Sequence, residues 1–517
     1  MKILEDERMK GQYDLIVIGA GPGGYVAAIK AAKLGMNTAL IEKSEIGGTC
    51  LNRGCIPTKT LMHSASLYRE ATKFKEAGIS YEGLCLDYHK ILSHKDEVVA
   101  KNRQGIKGLL GANGVTLLQG TATLLGTSHS TVAEDSEGMQ ARNSERKERQ
   151  GFHRISVTTL EGDKVIYEAD KVLIATGSVP VIPGIEGTDL TDVITSNELL
   201  TGSKFYQKLL IIGGGVIGVE FATIYRDFGC EVEIIEAMDR ILPNLDKEIS
   251  QSVAMSLKKK GIQIHTKAKV TRITVGGEHG LVCEYVEEAT DCKKEDSRTP
   301  AGKEPTIKTA TAEGILLSVG RRAYTEGLFG GELSPVMERA CIKVDESFET
   351  SIPGIYAIGD AIQGKQLAHA ASAQGIAAVE RMCGKEASVN LEVIPSCIYT
   401  SPEVAVVGMD ETEAAEKGYT IKTGKYPMLG NSKTLLSMGD RGFIKVISDA
   451  DTGRLLGAAL LCDRATDMIS EFATAIANGL TVKELASVIR PHPTYSEAIT
   501  EALEDVEGMA IHLMPRK

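Results

Sequence analysis

A chain of 517 residues is too long for one hydrophobic core, so two to four domains are expected. Its 43% hydrophobic and 25% charged residues are those of an ordinary soluble enzyme; the 54 glycines follow no G-X-Y period, which excludes collagen and leaves tight turns and close backbone approaches. A net charge of −11, no Trp and nine Phe argue against nucleic-acid binding.

The first twelve residues mix Lys2, Glu5, Asp6, Glu7, Arg8 and Lys10 with few apolar side chains, and lack the hydrophobic region and cleavage site of a secretory signal. From Tyr13 the pattern predicts a strand over residues 14–18, an Ala-rich helix over about 23–34 stopped by Gly35, and a second strand over 38–41 ending at Glu42. Between strand and helix lies Gly19-Ala20-Gly21-Pro22-Gly23-Gly24, which fits G-x-G-x-x-G. In that fingerprint Gly19 permits the turn, Gly21 lets a pyrophosphate approach the backbone, and Gly24 lets helix and strand pack. The helix N-terminus then offers its N–H groups to phosphate, and an acid 18 residues past Gly24, Glu42, accepts from ribose hydroxyls.

Next comes Cys50-Leu51-Asn52-Arg53-Gly54-Cys55. Its two sulfurs read as metal ligands, as two buried thiols, or as a redox pair one helical turn apart. No second Cys or His pair with zinc spacing accompanies them, so a closed zinc site is not expected. The remaining cysteines are scattered, as in a reduced cytoplasmic protein, with an organelle matrix as the alternative. Residues 128–150, dense in charge, read as a solvated insertion or hairpin tip, as do residues 287–308.

The first plan returns from Lys208: a strand over 209–212, Gly213-Gly214-Gly215-Val216-Ile217-Gly218, a helix to about Phe228, Gly229 as stop, and a strand over 233–235 ending at Glu236. Glu236 again lies 18 residues past the last glycine, and only Arg240 stands near it as a cation, which favours NAD over NADP. The nearest approach to a membrane span, residues 209–225, is broken by glycines and Glu220. From about Leu391, strands over 443–447 and 456–461 and a helix over 465–478 point to an α+β domain. Two dinucleotide-binding domains in one chain suggest FAD and NAD face to face.

The string GGTCLNRGCIPTK, flanked by both fingerprints, resembles the pyridine nucleotide-disulfide oxidoreductases, in the wording of members that oxidise dihydrolipoamide. Ala175-Thr176-Gly177, Ile355-Tyr356-Ala357-Ile358-Gly359-Asp360, Leu367-Ala368-His369-Ala370-Ala371, Ile398-Tyr399-Thr400-Ser401-Pro402-Glu403 and His492-Pro493-Thr494-Tyr495-Ser496-Glu497 are similar to further motifs of that family. Gln374, where the family often has Glu, and Ala323, where Pro is usual after Arg321-Arg322, depart from it.

The resemblance implies an α/β fold of two Rossmann-like dinucleotide-binding domains, for FAD and NAD, plus a C-terminal α+β dimerisation domain. Its boundaries would be 1–180 (FAD), 181–318 (NAD), 319–390 (central, completing the FAD site) and 391–517 (interface). It implies that Cys50 is attacked by the incoming dithiol, that Cys55 is the thiolate beside the flavin, that Lys59 pairs with Glu220, and that His492, oriented by Glu497, is the general base. FAD would be held by Gly19, Gly21, Gly24, Glu42, Lys43, Gly48, Thr49, Lys59, Ala122, Thr176, Gly177, Ser178, Asp360, Leu367, Ala368 and His369. NAD would be held by Gly213, Gly215, Ile217, Gly218, Glu236, Val270 and Gly320; no metal is implied. The base would come from the other subunit, so a homodimer is expected. No lipoyl-carrier segment precedes Tyr13, so the implied partner is a separate lipoyl-bearing acyltransferase or carrier protein, with neither nucleic acid nor membrane involved. Rival readings are a glutathione-type reductase, disfavoured by Glu236; a mercuric or large thioredoxin reductase, disfavoured by a tail from Gly508 without Cys; and a non-catalytic complex subunit, disfavoured by the intact Cys50, Cys55 and His492.

Overall fold

The computed structural model describes residues 9–128, 151–276, 280–287, 306–331, 333–439 and 441–515. It divides into two compact units: Met1–Pro57 with Asp96–Val179 and Arg321–Leu391, and Thr58–Lys95 with Pro180–Gly320 and Glu392–Lys517.

The first unit runs β1 (Met9–Ile18), α1 (Pro22–Lys33), β2 (Thr38–Glu42), α2 (Gly48–Arg53) and the start of α3 (Cys55–Thr72). After α4 (Tyr88–Ala112) follow β3 (Thr116–Gln119), β4 (Thr121–Ser128), β5 (Phe152–Thr158) and β6 (Lys164–Ile174). The sheet order is β3-β2-β1-β6-β5-β4, parallel from β3 to β6 and antiparallel beyond. Leu15 to Ile18 and the whole of β2 are buried, as expected of parallel strands covered on both faces. α1 opens with Pro in its first turn, packs through Ala27, Ala28 and Ala31, and ends at Leu34 before Gly35 at φ +90°. Helix Ala368–Met382 lies against it, Gly375 approaching the Gly23 carbonyl so closely that a Cβ would sit 2.7 Å from the oxygen. The Lys30–Glu380 ion pair, 2.6 Å, ties the two helices together.

In the second unit, strands Gln263–His265, Glu231–Ile235, Lys208–Ile212, Gly314–Leu317 and Val193–Thr195 lie in that order, all parallel. A three-stranded antiparallel sheet (Ala268–Val275, Leu281–Glu287, Ile307–Ala312) follows in the chain. Five antiparallel strands between Ser396 and Cys462 form the carboxy-terminal sheet, with helices Ala465–Ala477 and Glu497–Glu504 sharing its core.

The elements of both strand–turn–helix–strand repeats stand where the periodicity puts them, within two residues, with one exception. β1 begins at Met9 rather than Asp14, because residues 9–13 find a parallel partner in β6. The two charged insertions lie outside the described residues except at their edges. Those edges are antiparallel neighbours, Ser128 opposite Phe152 and Val286 opposite Ile307.

Candidate active site

The two glycine turns have the same geometry. Gly19 and Gly213 sit at φ +101° and +107°, and a Cβ on either would lie 2.4–2.5 Å from a neighbouring strand's carbonyl, Ala175 or Ser318. Only Gly tolerates both constraints. A Cβ on Gly24 or Gly218 would lie 1.8 or 2.1 Å from the oxygen of its own repeat's first glycine, so these residues bring helix against strand. Gly21 and Gly215 face open space, and each caps its helix without a side-chain hydrogen bond. Each turn thus leaves helix N–H groups pointing at a site that a diphosphate can approach. Ile217 occupies the first turn of the second helix.

Each acid closes its turn. Buried Glu42 accepts from Ala20 N (2.7 Å) and Ser44 N (2.8 Å), and buried Glu236 from Gly214 N (2.6 Å) and Met238 N (2.7 Å). The backbone bonds orient both carboxylates, with oxygen lone pairs left for ribose hydroxyls. Ala122 and Val270 are buried core side chains, so only their backbone remains to meet a cofactor. Gly320 stands at φ +124° with open space where a Cβ would be.

The flavin-side residues of the first unit converge as well. Ser178 Oγ donates to Asp360 Oδ2 at 2.5 Å, Thr176 Oγ1 donates to the Tyr324 carbonyl at 2.7 Å, and Lys43 lies 3.6 Å over the Tyr324 ring. Asp360 occupies a 3-10 turn that starts at Gly359, φ +66°, and Gly177 stands at φ +71°. Gln374 Oε1 accepts from Gly359 N at 2.8 Å, so this departure from the family pattern still fixes the Asp360 turn. Leu367 caps the helix that Ala368 and exposed His369 begin, and Ala323 is buried on its strand.

The sulfur pair departs from one helical turn. Cys50 lies on α2 and Cys55 begins α3, and the helix breaks at Gly54. A Cβ on Gly54 would stand 2.9 Å from Thr49 O and 3.3 Å from Cys50 Cα, so the missing side chain is what folds the second helix back on the first cysteine. Gly48, φ +58°, comes so near the first glycine turn that its Cβ would lie 2.7 Å from Gly21 Cα, and Gly47 N donates to Ala20 O. The start of α2, which carries Thr49 and Cys50, is therefore seated on the first dinucleotide turn. Cys55, exposed at the amino end of an 18-residue helix, sits where the helix field favours an anionic sulfur.

On the same helix, Lys59 belongs to the second unit. Its Nζ lies 2.9 and 2.8 Å from the two oxygens of Glu220, which is 4% exposed and also accepts from Tyr399 N at 3.0 Å. The Tyr399 ring lies 4.6 Å from Nζ. His492 and Glu497 also meet: Nδ1 lies 2.8 Å from Oε1, while Oε2 accepts from Thr494 N at 2.8 Å. Burial raises the Glu497 carboxyl, but Thr494 N–H and His492 pull it below its usual value overall. With Nδ1 engaged, Nε2 remains to take a proton, and His492 is well exposed.

Sequence reasoning missed two supports. Arg321 donates to Ser178 Oγ (2.8 Å) and O (2.7 Å); burial lowers its pKa, opposed by the negative charges of Asp360 and Cys55. Asn52 donates to the carbonyls of Ile46 and Gly48, and its own Oδ1 accepts from Arg103 at 2.7 Å, which locks the cysteine loop. The signal for Asn52 was its place between the cysteines; for Arg321 it was the Arg321-Arg322 pair before Ala323.

Residues 13–375 match the pyridine nucleotide-disulphide oxidoreductase model, and residues 394–503 match that family's dimerisation domain. The chain belongs to the pyridine nucleotide-disulphide oxidoreductases. It is 40% identical over 506 residues to the dihydrolipoyl dehydrogenase of Bacillus subtilis, covering 98% of this chain and 100% of that one. It is 36% identical to the leghemoglobin reductase of Glycine max over 95% of this chain and 86% of that one. The crystal structure of LpdA from Mycobacterium tuberculosis superposes with a TM-score of 0.80 at 26% identity, over 95% and 99% of the two chains. As a member of this family, the protein is an oxidoreductase whose cofactors are FAD and NAD. The two glycine turns fit the diphosphates of such dinucleotides, by the open space at Gly21 and Gly215 and the uncapped helix ends behind them. No helix among the described residues is long and apolar enough to cross a membrane.

Proposed function

We propose that this protein is a cytoplasmic dihydrolipoyl dehydrogenase: it oxidises protein-bound dihydrolipoamide to lipoamide and reduces NAD, as a homodimer within a 2-oxo acid dehydrogenase or glycine cleavage system. The observation that carries this reading is the Cys50–Cys55 segment, folded at Gly54 and seated on the first glycine turn. The full-length identity to dihydrolipoyl dehydrogenases supports the substrate, and Glu236 without a neighbouring cation supports NAD. The first unit reads as the FAD domain, expected over 1–180, with the central segment 319–390, except that Thr58–Lys95 falls in the second unit beside the NAD domain, 181–318, and the interface domain, 391–517.

In the oxidised enzyme Cys50 and Cys55 share a disulfide. His492 of the partner subunit takes the proton of one substrate thiol, and Glu497 stabilises the imidazolium that results. The thiolate attacks the Cys50 sulfur, the Cys50–Cys55 bond breaks, and Cys55 leaves as thiolate. The second substrate thiol then displaces Cys50, which closes lipoamide and leaves the enzyme dithiol. Lys59, fixed by Glu220, offers positive charge one turn along α3 from Cys55. FAD, which Gly19, Gly21, Gly24 and Glu42 would hold, would supply a two-electron acceptor for the Cys50–Cys55 dithiol and a hydride donor for NAD.

The test is steady-state oxidation of free dihydrolipoamide with NAD and with NADP, alongside oxidised glutathione with NADPH. Turnover with dihydrolipoamide and NAD at least about 100-fold above the other pairings is expected, since a carboxylate at the 2′ position repels the extra phosphate. Preference for glutathione and NADPH would overturn the assignment.

A further inference from the structure

Three helices of the second unit end together. α3, helix Val216–Asp227 and helix Lys247–Lys259 bring their carboxyl ends to a pocket of about 580 Å³ whose walls include Arg69, Lys73, Arg226, Lys259 and Lys260, with Asp227 as the one acid. The pocket therefore carries a formal surplus of four positive charges in a chain whose total is −11. Asp227 is already engaged on both oxygens, by Arg69 Nη1 at 2.7 Å and Lys260 Nζ at 3.4 Å. The Arg226 guanidinium donates to the carbonyls of Lys260 and Cys230. Three helix carboxyl ends contribute about −0.5 each, which leaves roughly +2.5 in a concave, partly enclosed site.

We propose that this pocket binds the diphosphate group of a small molecule, either inorganic pyrophosphate or a nucleoside diphosphate. A diphosphate carries two to three negative charges near neutral pH and matches the surplus, whereas a single phosphate leaves charge uncompensated. The volume lies within the range of small-ligand sites, and Tyr68 is one of the lining residues. The site lies at the far ends of two helices that carry redox-site groups. α3 bears Lys59 and helix Val216–Asp227 bears Glu220, and the same two helices are joined again at the pocket by Arg69 and Asp227. A diphosphate bridging α3, helix Val216–Asp227 and helix Lys247–Lys259 clamps this pair from its distal end and stabilises the unit against unfolding.

The experiment is titration calorimetry of inorganic pyrophosphate into the FAD-loaded homodimer with saturating NAD present, so that the Gly213–Gly218 turn is occupied. One site per chain is expected, with affinity falling as ionic strength rises, orthophosphate binding at least about tenfold more weakly, and thermal midpoint rising with pyrophosphate. Lys73→Gln/Lys259→Gln should weaken pyrophosphate at least about tenfold while leaving turnover without pyrophosphate unchanged. Lys259→Glu serves as a single-site variant if the double one folds poorly. ADP binding more tightly than pyrophosphate would make a nucleotide the natural source, and equal affinities would make it the diphosphate alone. No heat with pyrophosphate, or an affinity unaltered by both variants, would overturn the proposal.

Discussion

Replacing Glu497 by Gln keeps the size of the side chain but leaves one acceptor oxygen; with that oxygen on Thr494 N, an NH2 faces His492 Nδ1, so the charge and the acceptor of the Nδ1–H are lost together. A hydrogen bond to a charged partner contributes about 1.5–3 kcal/mol. The His492 ring is 72% exposed and Glu497 is 30% exposed, so water competes and the lower half of that range applies. About 1.5–2 kcal/mol corresponds to a loss of roughly 10–30-fold in kcat/KM, since 1.4 kcal/mol is tenfold. Removing the base itself, in His492→Gln, should cost about 100–10,000-fold. Because Glu497 acts through His492, the double variant should be no slower than His492→Gln alone. The assay is dihydrolipoamide oxidation at saturating NAD across a pH series. Glu497→Gln within twofold of wild type, or a double variant whose loss is the product of the two singles, would refute the assignment of Glu497 as the orienting group.

A Cβ on Gly24 collides with Gly19 O and one on Gly218 with Gly213 O, so Gly24→Val should yield colourless protein. Gly218→Val should keep the yellow colour and raise the KM for NAD at least about tenfold, as lost close approach at the diphosphate predicts. Lys59→Met leaves Glu220 buried with Tyr399 N–H but without its cation; with Lys59 29% exposed, the loss is about 2–3 kcal/mol, below the 3–5 of a fully buried pair. A thermal midpoint several degrees lower, partly restored in Lys59→Met/Glu220→Gln, checks it. The Lys30 ammonium and the Ser388 N–H hold the Glu380 carboxyl down at about 2, so its stabilisation of the α1 contact is complete above about 4.5 and is lost as pH falls toward 2. Glu380→Gln should accordingly release flavin more readily than wild type at pH 7, and the difference should shrink between pH 4.5 and 2.

Much of this architecture was legible because glycine spacing carries backbone information. The two G-x-G-x-x-G turns state where φ must be positive and where a carbonyl excludes a Cβ, so strand, helix and acid follow almost to the residue. His492 and Glu497 were legible only through the family resemblance of the string from His492 to Glu497; the fold then sets Nδ1 2.8 Å from Oε1. The break at Gly54 went unread although Gly54 is a helix stop of the same kind as Gly35 and Gly229, because the spacing of Cys50 and Cys55 suggests one continuous helical turn; the close approach of Gly54 to Thr49 and Cys50 belongs to the fold alone. The role of Arg321 was hidden, since Ser178, which it bonds, and Asp360, whose charge it meets, are distant in sequence and only the fold brings them to it. The early start of β1 has the same origin, a pairing with β6 more than 150 residues away.

The sulfur chemistry can be tested most directly by comparing Cys50→Ser and Cys55→Ser with wild type in oxidation of free dihydrolipoamide by NAD, on protein that retains its flavin colour. Exchange through an enzyme disulfide needs both sulfurs, so each variant should lose more than about 1,000-fold in turnover, and wild type should gain two titratable thiols on reduction. Turnover within tenfold of wild type in either serine variant would contradict the redox-pair account.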